Sequence, residues 1–137
     1  MVVTAAASST NPAKVLICHC TDCQTLSGSA FRTVVPTLEG TFKLLSGQPK
    51  VYVKTGDSGN DREQTFCADC GTPIYSGPTG LDRKVLSLRV GSLRQRDQLV
   101  PSDQFWFRSA QEWLPQLKDM PKKETQPVFS SGGSFKS

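Results

Sequence analysis

Ile17-Cys18-His19-Cys20-Thr21-Asp22-Cys23 and Phe66-Cys67-Ala68-Asp69-Cys70-Gly71 between them hold all five cysteines of the chain. They read as C-x-C-x-x-C and C-x-x-C-G. Thiolates packed this closely in sequence suit a soft, tetrahedral ion such as zinc. Side chains two apart on an extended segment point the same way, so Cys18 and Cys20 can reach one ion from a strand end, and a turn brings Cys23 back toward them. In the second cluster a turn ending in Gly71 lets backbone amides face the sulfurs of Cys67 and Cys70, and glycine permits the tight conformation. A disulfide framework is the competing reading. The odd cysteine count, the low cysteine density and the lack of a visible secretory signal favour metal.

Outward from the clusters the signals are mainly β. Residues 13–17 form a short apolar strand leading into the first cluster, and residues 62–66 feed the second. Further strands are expected at 30–35, 41–45, 51–54, 73–75, 85–90 and 104–108, separated by glycine and proline. The clearest alternates Leu86, Leu88 and Val90 on one face with Val85, Ser87 and Arg89 on the other. A helical turn closed by Gly28 is expected at 24–28, and another at 110–114. No long amphipathic helix is visible. The pattern predicts an all-β fold: a curled sandwich of short, mostly antiparallel strands built around cysteine-ligated zinc. Residues 1–11 read as a flexible tail, 12–119 as one zinc-binding domain and 120–137 as a disordered tail.

The bulk numbers exclude some functions. At 137 residues the chain can bury a real core. Its net charge of +4 is spread out, without the density of a nucleic-acid stripe. No apolar run approaches the ~20 residues needed to cross a bilayer. Clustered thiols without a targeting segment point to a reducing cytosol.

Other singled-out residues carry weaker signals. His19, the only histidine, is expected to face away from Cys18 and Cys20. Asp22 and Asp69 read as turn formers. Trp106 and Trp113 read as packing residues. Arg89 and Arg108 suit a substrate carboxylate but read more simply as surface arginines.

Taken together, Cys18-His19-Cys20-Thr21-Asp22-Cys23-Gln24 with Ser27-Gly28-Ser29-Ala30-Phe31, then Phe66-Cys67-Ala68-Asp69-Cys70-Gly71-Thr72-Pro73, resembles the glutathione-dependent formaldehyde-activating enzymes, a family that includes the centromere protein V group. Leu88-Arg89-Val90-Gly91-Ser92-Leu93 and the stretch from Arg108 to Trp113 look like its later elements, so the resemblance spans residues 12–118. It implies a curled all-β fold with two zinc sites. One is structural and four-coordinate, taking two cysteines from an early C-x-C and two that match Cys67 and Cys70. The other is the active-site zinc, held by the three cysteines matching Cys18, Cys20 and Cys23. Three protein ligands leave a coordination position open, as catalytic zinc requires. The namesake activity joins glutathione and formaldehyde into an S-hydroxymethyl adduct; its reverse cleaves a carbon–sulfur bond, so such proteins are classed as lyases. An open-site ion would either lower the pKa of a bound thiol or polarise the aldehyde oxygen, and both routes stay open.

The chain departs from the family at its start. Residues 1–17 contain no cysteine, histidine, aspartate or glutamate, so the early C-x-C-G has no counterpart. Either a first strand has been lost, exposing a sheet edge, or the start is wrong or truncated. One firm zinc is expected at Cys18, Cys20 and Cys23, with the Cys67–Cys70 pair empty, weakly occupied or oxidised. The leading function is a zinc-dependent carbon–sulfur lyase-like activity on the adduct of a small aldehyde with glutathione or a similar thiol. The alternatives are a non-catalytic zinc-stabilised binding module and a truncated, inactive family member.

Overall fold

The computed structural model describes residues 4–7, 10–11, 14–80 and 85–126. Within them, short runs of β-forming residues cut by glycine and proline give nine strands: β1 (Thr4–Ala7), β2 (Leu16–Cys18), β3 (Arg32–Pro36), β4 (Phe42–Ser46), β5 (Pro49–Thr55), β6 (Asp61–Cys67), β7 (Pro73–Pro78), β8 (Ser87–Arg89) and β9 (Asp103–Phe105). One helix, α1 (Thr21–Ser27), follows β2. Seven strands form a mixed sheet in the order β5-β6-β7-β8-β3-β2-β9, and β1 pairs with β4 in a second, two-stranded sheet. All neighbours are antiparallel except β2 and β9, which run parallel. The all-β expectation holds.

Register divides the large sheet into two unlike faces, because directly opposed residues share a face and alternate residues switch. Val35 pairs with Leu88 and Leu88 with Tyr75, and all three are buried in the apolar core with Val15, Leu86 and Val90. Phe42 of the small sheet packs its ring against Tyr75 at 4.8 Å between centroids. Each fully buried aliphatic here contributes about 1.5–3 kcal/mol, so this face supplies most of the hydrophobic stabilisation. The opposite face carries Cys18 across from Arg32, Val34 across from Arg89, and Gln64 across from Ser76. The alternation read in residues 85–90 is thus real: Leu86, Leu88 and Val90 are buried in the core, and Arg89 lies on the other side.

Several expectations need correction. Residues 1–11, read as a tail, contribute β1, and Thr10 bridges to Thr37. Main-chain pairing needs no side-chain periodicity, so a run of small residues hides a strand from pattern reading. β1 pairs antiparallel with β4. The turn expected at 24–28 is a longer helix that starts at Thr21 and includes Cys23. Gly28 closes it as expected, in the left-handed conformation (φ 60°), its N–H directed to Gln24 and Thr25 carbonyls. The strand expected at 104–108 ends at Phe105, because Trp106 takes a left-handed conformation (φ 55°) and opens a 3₁₀ turn. The helical turn expected at 110–114 lies further on, as a 3₁₀ segment at Leu114–Asp119. The expected strand at 13–17 and the C-terminal tail fall partly outside the described residues.

Candidate metal centre

Strand β2 ends on Cys18, the chain passes His19, and Cys20 caps α1, whose first turn carries Cys23. Cys20 has the extended backbone of an N-cap, and its Sγ accepts a hydrogen bond from the Cys23 N–H at 3.4 Å. Asp22 in the same turn suits the positive end of the helix and pairs with Lys54 of β5 at 3.7 Å. The outcome is that the three Sγ atoms of Cys18, Cys20 and Cys23 all lie within 4.8 Å of one another. Zinc–thiolate bonds of about 2.3 Å in a tetrahedron place sulfurs about 3.8 Å apart, so the group fits with a small contraction. Cys18 and Cys23 are buried, Cys20 partly so. Burial pushes the Cys23 thiol up; Arg32 opposes this, and hydrogen bonding with the Cys18 and Cys20 thiols adds to it. These three cysteines could hold a metal ion, which would have to displace the thiol protons.

His19 faces away from the sulfurs, as expected. Its ring is 1% exposed, edge-on to Phe31 and Phe107 at 5.7 and 5.6 Å, with Nε2 2.8 Å from Gln104 Oε1. Its backbone N–H donates to the Phe105 carbonyl of β9. The His19 carbonyl accepts from Gln24 Nε2 at 2.7 Å, and the same amide donates to the Ser109 carbonyl at 2.9 Å. Gln111 Nε2 completes the set by donating to Gln24 Oε1. Gln24 therefore ties the cysteine loop to the C-terminal segment. Pattern reading missed this role, because the partners at Ser109 and Gln111 are far away in sequence. Gln24→Ala is expected to lower metal affinity about 10–100-fold without touching a ligand, as loss of an outer hydrogen bond commonly does. Competition titration with a chromophoric chelator measures it, and an unchanged affinity would count against the clamp.

The second cluster stays apart from the first. Its turn forms as expected: Gly71 adopts φ 72°, Gly71 N–H donates to the Cys67 carbonyl, and Cys67 N–H to the Thr72 carbonyl. Cys67 is buried, whereas Cys70 is exposed, with its Sγ 3.1 Å from Thr72 Oγ1. Among the described residues no third cysteine, histidine, aspartate or glutamate completes a group of three around them. None of the five cysteines is in a disulfide.

Arg108 lies at the surface as expected, whereas Arg89 and the two tryptophans do not take their expected places. Arg89 is not a surface residue but 7% exposed, with Nη2 donating to Gln64 Oε1 at 2.7 Å. Burial, with the Arg32 and Arg62 charges nearby, lowers it to about 10, and Cys23 pulls the other way. Arg108 is the exposed one, its guanidinium 4.8 Å above the Trp106 ring. Trp106 and Trp113, expected to pack, are 45% and 41% exposed. Trp113 lines an open depression of about 400 Å³ with Gln24, Thr25, Gly28, Ser29, Ala30 and Gln111. No cysteine borders it.

A mixed, mostly antiparallel sheet with three thiols gathered at one strand end defines an all-β protein with a cysteine cluster capable of binding metal. The model of the glutathione-dependent formaldehyde-activating enzyme family matches residues 2–109, and the chain belongs to that family. The match begins ahead of residue 12, so β1 lies inside the family fold. No curated protein matches the chain at a significant level. No helix among the described residues is long and apolar enough to cross a membrane.

Proposed function

We propose that the protein is a zinc-dependent carbon–sulfur lyase-like enzyme, acting on the adduct of a small aldehyde with glutathione or a similar thiol. The observation that carries the reading is the three-sulfur group itself: Cys18, Cys20 and Cys23 converge without a fourth histidine, cysteine, aspartate or glutamate among the described residues. Three protein donors leave a position for a ligand, whereas a closed four-sulfur site drawn from both clusters would suit a purely structural role. Bound at this group, zinc would supply Lewis acidity toward an aldehyde oxygen and a lowered pKa for a thiol.

The chain's own residues do the rest. Cys18 and Cys23 are buried, and the Cys23 N–H donates to Cys20 Sγ, which holds that sulfur toward the other two. Arg32 favours the Cys23 thiolate electrostatically. The hydrogen bonds of Gln24 and of the His19 backbone hold the loop between β9 and α1. Cys67 and Cys70 would form at most a weak second site, since they bring two donors and one is exposed. The reading places the protein in a reducing cytosol, where thiolate ligands persist.

The test follows adduct formation between thiols and aldehydes by NMR, starting with glutathione and formaldehyde. Turnover should exceed the uncatalysed rate, scale with protein and vanish on chelation. Rates equal to background across a panel of thiols and aldehydes, with zinc demonstrably bound, would replace this reading with the binding module.

A further inference from the structure

The cysteine-bearing face of the sheet also gathers three arginines. Arg32 sits directly across from Cys18, Arg89 across from Val34, and Arg62 lies two residues before Gln64 on β6. Gln64 Oε1 accepts from Arg89 Nη2 at 2.7 Å and from Arg32 Nη1 at 3.4 Å, so one neutral amide holds two guanidinium groups together. Gln64 and Arg89 are 9% and 7% exposed. Two nitrogens are left over: Arg32 Nε and Arg89 Nη1 are buried and have no hydrogen-bond partner.

Such an arrangement is costly unless an anion completes it. Buried N–H groups without acceptors, and like charges drawn together away from water, are both unfavourable. Among the described residues no carboxylate pairs with Arg32, Arg62 or Arg89; Asp22, the acid on α1, is engaged by Lys54. Burial and the Arg32 charge lower both Arg62 and Arg89, the opposite of what a neighbouring carboxylate would do. The cysteines offset only part of this charge. Three thiolates around a dication carry one net negative charge, which leaves two of the three positive charges unmatched.

We infer that Arg32, Arg62 and Arg89 form an anion subsite beside the cysteine group, taking the carboxylate of a thiol ligand whose sulfur end meets the metal centre. The two unpartnered nitrogens, one on Arg32 and one on Arg89, offer one charge-assisted hydrogen bond each, the number that the two oxygens of a carboxylate accept. The ligand class is a thiol bearing a carboxylate a few bonds from its sulfur. The sulfur half of this assignment rests on the proposed zinc reading; the anion half does not.

The experiment therefore has two arms. In the first, the zinc-loaded full chain is titrated with propionate while the arginine Nε–Hε resonances are followed by NMR. The Arg32 and Arg89 signals should shift saturably with propionate and not with propionamide. No saturable shift with propionate or inorganic phosphate would overturn the subsite. Saturation by phosphate at lower concentration than by propionate would overturn the carboxylate assignment. In the second arm, the cobalt-loaded chain is titrated with 3-mercaptopropionate and with 2-mercaptoethanol, read by the thiolate-to-cobalt absorption band. The acid-bearing thiol should bind about tenfold tighter or more, the worth of one charge-assisted hydrogen bond. Arg89→Gln should erase most of that preference. Arg62→Gln, at a less buried position, should reduce it even if the Arg89 variant fails to fold. Equal affinity for the two thiols in the native chain overturns the inference. A cobalt band indifferent to both thiols, beside an intact propionate response, would remove the thiol–metal reading and leave the anion subsite standing.

Discussion

Cys20→Ser is expected to remove metal and activity together while leaving the fold in place. Cys20 is the N-cap of α1 as well as a member of the sulfur group. Serine is among the best N-caps, so the helix keeps its start. A serine hydroxyl stays protonated at neutral pH and is a far poorer zinc donor than a thiolate. Taking one ligand as about a third of the ~10–16 kcal/mol typical of cysteine-rich zinc sites, affinity should fall by a factor on the order of a thousand. Elemental analysis and circular dichroism separate the two effects. A Cys20→Ser protein that purifies with full zinc content would sink the assignment. His19→Ala is the contrasting variant. The ring touches Phe31 and Phe107 rather than the sulfurs, so metal should remain. The emptied space should instead cost about 2–4 kcal/mol of stability, as other large-to-small changes in buried sites do.

Stripping the metal is the second large effect. One tightly held zinc per chain is expected, at Cys18, Cys20 and Cys23, and its removal by chelator should lower the melting temperature. A ligand present at about a thousand times its Kd stabilises by ~4 kcal/mol, which for a domain of this size is a shift of about 10–20 °C. The pH dependence has a definite sign. Burial raises the Cys23 thiol, so protons compete for the site more strongly as pH falls, and affinity should drop steadily on acidification. Dialysis at about pH 5 should release zinc that is retained at about pH 8. Two tightly bound ions per chain, or a melting temperature indifferent to chelation, would contradict this picture.

Much of the candidate site was legible before any fold was known. C-x-C-x-x-C places three soft donors within one strand end and one turn, a local relation that short-range geometry determines. The same locality made His19 readable as facing away, Gly28 as a helix stop and Gly71 as a turn residue in left-handed backbone. Alternation in residues 85–90 was readable because a strand with one apolar face repeats every two residues, and Leu86, Leu88 and Val90 do.

What failed were the elements whose evidence lies elsewhere in the chain. Thr4–Ala7 has no pattern of its own; its strand exists because β4 offers main-chain partners. Trp106 and Trp113 carry large apolar surfaces, yet the segment after β9 runs along the outside and leaves them exposed. Arg89 looked like a surface arginine, because a charged side chain is rarely buried. Its burial follows from β8 lying in the middle of the sheet, between β7 and β3, with Gln64 within reach.

The sequence by itself determined the sulfur group and the all-β class, since both follow from spacings of a few residues and from the two-residue period of a strand. Tertiary structure alone decided what surrounds the sulfurs. The order β6-β7-β8-β3-β2 carries Arg62, Arg89, Arg32 and Cys18 onto one face from four separate strands. No local signal marks such a convergence, because register between distant strands is set by the apolar residues packed on the opposite face.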